Sequence, residues 1–156
     1  MTRRFARSLK GDRAHGSAPI NWERNISVIG AIRLDGIVTT LSIEGAADGE
    51  VFGCWVEQML GPELRPGDIV VMDNLSAHKS ARVKQAIRAA KALPIYLPPY
   101  SPDLSPIEPC WSKIKTYLRA KAARDRERLE EALAEAIALV TSQDARGWFS
   151  HCGYAV

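Results

Sequence analysis

The sequence predicts an α/β layered domain, and three observations predict it. An Asp35-Gly36 pair separates two β-branched runs. A continuous apolar run, Ile69 to Met72, ends in an aspartate. Segments of helical period alternate with these strand-like runs, giving strand, strand, helix, strand, helix, strand and then helices, an order that builds layers around a sheet.

Residues 1–24 have no clear period and are punctuated by Gly11, Gly16 and Pro19. They read as a basic, irregular lead-in, and residues 25–156 read as the domain proper. Residues 25–34 and 37–44 are β-branched and apolar, with Asp-Gly between them, the strongest short hairpin signal because both turn positions need positive φ. From Val51 to Leu60 the period changes. Val51, Phe52, Trp55, Val56, Met59 and Leu60 form a helical stripe, with Asp48 placed to cap it and Gly61-Pro62 to stop it. Asp68 to Asp73 reads as a strand buried on both faces, because its apolar residues run without alternation. A helix over 78–92 and a strand over 94–97 follow.

Four prolines fall within Pro98–Pro106, so that stretch is a stiff loop rather than regular structure. The next helix carries Ile107, Cys110, Trp111, Ile114, Tyr117 and Leu118 on one face. Residues 119–124 interrupt the pattern and 125–142 resume it, so the C-terminal helices span 106–142. The tail is short, with Trp148, Phe149 and Tyr154 packing back on the body.

Composition bounds the function. The chain has 156 residues, 46% hydrophobic and 25% charged, as expected of one globular domain. No apolar run approaches the ~20 residues needed to span a bilayer, so a membrane role is not expected, and the N-terminus lacks the apolar core of a secretory signal. Cys54, Cys110 and Cys152 lie far apart, which argues against disulfides and a zinc site. The net charge of +3 hides two basic segments, 1–13 and 113–128, on an otherwise acidic body. Such clusters suit either a polyanion or a solvated helix face.

Two carboxylates stand in loaded settings. Asp73 ends its strand at the edge where α/β sheets bind ligands, and a turn aspartate bonding its own backbone explains it equally. Glu108 fits a capping box with Ser105 as N-cap and Pro106 as the first helical residue, a purely local role. His78 reads as a general base, a phosphate donor or a surface residue early in a helix. Lys113 and Lys115 read as phosphate contacts or solvated lysines.

One resemblance orders these alternatives. Met72-Asp73-Asn74 with His78 and Lys79, then Tyr96 through Glu108 (YLPPYSPDLSPIE), with Trp111 and Lys115, resemble the catalytic core of DDE transposases of the mariner-like superfamily, especially its bacterial insertion-sequence branch. The 34 residues between Asp73 and Glu108 match that family's spacing between its second and third carboxylates. Weaker similarity runs from the Arg-rich lead-in to Gly153-Tyr154.

The resemblance implies a ribonuclease H-like fold, a mixed sheet flanked by helices, and metal-dependent cleavage and strand transfer of DNA in transposition. Asp73 and Glu108 would be catalytic ligands of a two-ion Mg²⁺ (or Mn²⁺) site, which stabilises the attacking and leaving oxygens of an in-line displacement. His78, Lys79, Lys113, Lys115 and Arg119 would contact DNA, both transposon ends and target. A homodimer and an upstream transposase part are expected partners, and the bacterial cytoplasm, in association with the nucleoid, the expected location.

Ser105 replaces the asparagine usual before Pro-Ile-Glu. The family's first strand, its first carboxylate and its helix-turn-helix region are expected to lie upstream of this sequence, since Asp12 is Gly-flanked and Asp35 sits in a hairpin turn at the opposite sheet edge. The chain is therefore expected to be a fragment inactive alone. A non-catalytic DNA-binding or dimerising remnant, or another ribonuclease H-like nuclease, is the alternative.

Overall fold

The computed structural model describes residues 7–13, 25–123 and 125–156. Most of the predicted lead-in therefore lies outside the described residues. The chain divides into two compact units, one holding Trp111–Leu139 and the other residues 25–110 with Val140–Val156.

The larger unit begins with a hairpin, β1 (Ile26–Arg33) and β2 (Gly36–Glu44), paired antiparallel with Ile29 opposite Leu41 and Arg33 opposite Gly36. The turn differs from the expected one. Its two loop residues are Leu34 and Asp35, and in this hairpin only Gly36 takes positive φ, at +123°. Gly36 thus follows the turn rather than occupying its centre, and the register shifts between Ala31 and Ile32, which absorbs one extra residue as a bulge.

Helix α1 (Gly49–Trp55) is capped as the sequence predicts, with Val51 N donating to Asp48 Oδ1 at 2.9 Å. It loosens into a π turn over Val56–Leu60 and tightens into a 3₁₀ turn over Gly61–Glu63. Phe52, Trp55, Val56 and Leu60 form the centre of the core with Ile29, Met72, Val83, Ile87 and Ala92.

Strand β3 (Ile69–Met72) pairs in parallel with β4 (Leu93–Tyr96), and α2 (Ala81–Ala89) makes the crossover. Here the expectation of a strand buried on both faces is corrected. Met72 is buried and Val70 packs against the core, but Ile69 is 58% and Val71 37% exposed, as are Leu93 at 53% and Ile95 at 41%. Only one face of this sheet is covered among the described residues. Pro94 lies in β4, and proline is tolerated at an edge because it gives the ladder no N–H. No ladder joins the two sheets among the described residues. They share the core, and Arg33 Nη2 at the end of β1 reaches Asp68 Oδ2 at 2.7 Å and Glu63 O at 2.6 Å beside the start of β3.

The smaller unit pairs the body of α3 (Ile107–Lys121) with α4 (Arg126–Ala138), burying Ile114, Ala132, Leu133 and Ala136. The division between units falls within α3, after Cys110. Tyr117 Oη and Lys121 Nζ of α3 both reach Glu135 Oε2 of α4, each at 2.7 Å.

The predicted helix over 125–142 ends at Ala138. A separate helix, α5 (Ser142–His151), replaces most of the expected tail, and Thr141 with Asp144 forms a reciprocal capping box at its start. Helix α5 belongs to the larger unit and lies against β2.

Candidate active site

Asp73 and the proline-rich loop leave the same edge of the parallel pair. Met72, the last residue of β3, is opposite Tyr96, the last of β4, and Leu97 N donates to Met72 O at 2.8 Å. Asp73 thus leaves one strand just where the proline-rich loop leaves its neighbour. This is the carboxyl-terminal edge, where parallel sheets present their functional loops.

Asp73 is exposed and its Oδ1 is engaged twice. Leu75 N donates to it at 3.0 Å, the turn contact that the sequence allowed. His78 Nδ1 lies 2.6 Å from the same oxygen. This contact is close but not aligned as a hydrogen bond, so the buried Nδ1 has no well-directed acceptor.

His78 was read as a general base, a phosphate donor or a surface residue, early in a helix. It instead occupies a 3₁₀ turn, Ala77–Lys79, that precedes α2, because Ser80 caps α2 through Val83 N. Its ring packs on Phe52 with centroids 4.2 Å apart, and its carbonyl accepts from Tyr96 Oη at 3.1 Å. The side chain is 19% exposed. Lys79, the next residue, is exposed.

The loop after β4 is set by backbone bonds. Leu104 N donates to Ser101 O, Ser105 N to Pro102 O and Glu108 N to Ser105 O, at 3.0–3.2 Å. A 3₁₀ turn over Pro102–Leu104 results. It also removes the cap that local sequence favoured for Glu108. The Ser105 N–H that the Glu108 carboxylate would reach is committed to Pro102 O. Glu108 is exposed, and among the described residues its carboxylate has no hydrogen bond or ion pair. It stands in the first turn of α3, where the helix dipole favours a negative charge.

Lys113, Lys115 and Arg119 belong to the smaller unit. Lys113 Nζ donates to Leu139 O at 2.9 Å, whereas Lys115 and Arg119 are exposed. The sequence reading missed two residues of the site's surroundings. Phe52 supports the His78 ring from α1, and Tyr154 Oη donates to Leu104 O at 2.9 Å. The Gly153-Tyr154 similarity was the one signal that could have pointed to the latter.

Carboxylate oxygens are the donors that hard divalent cations take, and Asp73 and Glu108 suit such an ion. Among the described residues no group of three His, Cys, Asp or Glu side chains is placed to hold one.

A family model described as DDE superfamily endonuclease matches residues 1–130. No curated protein matches the chain. Among solved structures, the Mos1 transposase paired-end complex with left transposon end is similar with a TM-score of 0.78 at 14% identity, covering 98% of this chain and 52% of that one. The Mos1 strand transfer complex gives 0.74 at 15% identity, with coverage of 97% and 46%. The catalytic domain of Mos1 mariner transposase gives 0.60 at 14% identity, with coverage of 80% and 66%. At such identities the likeness is one of fold, and the fold is ribonuclease H-like. The chain spans about half the length of the first two structures.

Proposed function

This chain belongs to the DDE superfamily endonucleases, and on that premise we propose that it is the catalytic portion of a transposase that cleaves DNA strands and transfers them to a target. The observation that carries the reading is the state of Glu108. Its carboxylate is exposed and, among the described residues, without a polar partner, the helix cap that would account for it is not formed, and it follows the strand that neighbours Asp73's own.

In this proposal Asp73 and Glu108 hold divalent metal ions, Mg²⁺ or Mn²⁺. When bound, the ions lower the cost of charge on the attacking and leaving oxygens of the phosphodiester. The chain's own residues set the geometry. The Leu75 amide and His78 engage Asp73 Oδ1 and leave Oδ2 for a ligand. The proline-rich loop fixes where α3 starts, and with it Glu108. Lys79, Lys115 and Arg119 supply exposed positive charge for DNA phosphates, so affinity falls steeply with salt. The Mos1 structures named for transposon ends and strand transfer support DNA as the partner.

Two carboxylates fall short of a two-ion site. We assign the third to an upstream transposase part, and we place the active assembly as a homodimer in the bacterial cytoplasm at the nucleoid. No helix among the described residues is long and apolar enough to cross a membrane. The alternative is a non-catalytic DNA-binding or dimerising remnant.

Nicking of element-end DNA in Mn²⁺ separates these readings, measured for the chain alone and for a fusion that restores an upstream strand bearing an aspartate. The fusion should cut, and Asp73→Asn or Glu108→Gln should each slow it by about 100-fold or more, the scale of several kcal/mol lost from the transition state. Undiminished cutting by the Glu108→Gln fusion would remove Glu108 from the ligand set. A fusion that binds DNA without cutting would favour the remnant. Robust cutting by the unfused chain would show that no upstream part is needed.

A further inference from the structure

The family match stops at residue 130, yet residues beyond it reach back to the loop that delivers Glu108. Helix α5 ends at His151, and Cys152 after it is buried. Gly153 then takes φ +85°, the left-handed conformation that reverses a chain at a helix end. Gly153 N donates to Ser150 O and Tyr154 N to Phe149 O, both at 3.0 Å. The reversal sets the Tyr154 ring edge-on to Phe149, with centroids 5.6 Å apart at 71°. From there Tyr154 Oη donates to Leu104 O at 2.9 Å, across 50 residues of chain.

Leu104 is a telling place for such a bond. It closes the 3₁₀ turn of the proline-rich loop and lies four residues before Glu108. Pro98, Pro99, Pro102 and Pro106 fix their own φ but have no N–H to donate, so the loop is stiff without being anchored by them. The bonds from Leu104 to Glu108 are all short-range. Tyr154 ties this segment to α5, an element packed against β2.

We propose that Tyr154 is a positioning residue: its hydroxyl clasps the Leu104 carbonyl and so fixes the start of α3 and the direction of the Glu108 carboxylate. The metal-holding part of this rests on the reading of Glu108 given above, whereas the clasp itself does not. Burial pushes the Tyr154 phenol above its ordinary 10.0, which keeps the donor proton in place at neutral pH. Burial, and then the charge of Asp103 in the same turn, push the Cys152 thiol up as well.

The test uses the full chain with Tyr154→Phe, which keeps the ring and removes the hydroxyl. Amide hydrogen exchange should speed up about fivefold at Leu104, Ser105 and Glu108, the scale of one lost hydrogen bond, while β1 and β2 amides stay as they were. Mn²⁺ affinity, followed by electron paramagnetic resonance, should fall in the same direction as for Glu108→Gln but by less. Unchanged exchange at Leu104–Glu108, or a rise shared equally by β1 and β2, would overturn the clasp. Faster loop exchange with Mn²⁺ affinity untouched by Glu108→Gln would leave the clasp standing and overturn the assignment of Glu108 as a ligand.

Discussion

At the scale of single residues, the site is decided by what each polar atom has left to do. Glu108 shows this. Ser-Pro-Ile-Glu spells a capping box, and its local chemistry is sound. The box fails because Pro102 opens a 3₁₀ turn that takes the Ser105 N–H first. His78 is the converse case. Nothing near it in sequence says it is shielded, because the shield is Phe52, 26 residues earlier. Tyr100, in the same loop as Leu104, is fully exposed at φ +57°. A bulky side chain in that region costs roughly 1–2 kcal/mol, and an exposed ring recovers none of it by packing. Tyr100→Asn, a residue that tolerates this conformation, should therefore raise stability by about 0.5–1 kcal/mol in urea unfolding. If cleavage by the fused enzyme falls at the same time, the strain serves the site rather than the fold.

At the scale of elements, period and punctuation carried the reading well, and tertiary covering carried it badly. The hairpin, the capped α1 and the β3–α2–β4 crossover were all legible from alternation, helical stripes and turn residues. The hairpin turn moved by one residue, so that Gly36 follows it, paired with Arg33, and the bulge falls farther along, between Ala31 and Ile32. Helix α5 was missed although Thr141 and Asp144 stand at box spacing, since the apolar stripe of α4 ran on to hide the break. The α3–α4 pair gives a pH prediction. Hydrogen bonds from Lys121 and then Tyr117 hold Glu135 below the ordinary 4.5. A depressed carboxylate contributes stability above its unfolded value and loses it as pH falls through the folded one. Exchange at α4 amides should thus accelerate below about pH 4.5 before the hairpin is affected, and Glu135→Gln should flatten that dependence.

At the scale of the whole molecule, two short sheets share a core without sharing a ladder, and the parallel one leaves Ile69, Val71, Leu93 and Ile95 in solvent. An uninterrupted apolar run was read as a doubly covered strand, and the run itself could not say that one cover is absent among the described residues. Such a face invites self-association. Ile69→Thr with Leu93→Thr should change unfolding free energy by less than about 0.5 kcal/mol per site, and light scattering at rising concentration should show less association than in the parent chain. The bond between Tyr154 and Leu104 also has a consequence in time. Their separation of 50 residues means that, at roughly 5–20 residues per second of synthesis, the ribosome releases the loop about 3–10 s before the residue that fastens it. A nascent chain therefore holds Glu108 for several seconds behind a loop not yet fastened, and the setting of that carboxylate matures only once Tyr154 has been made.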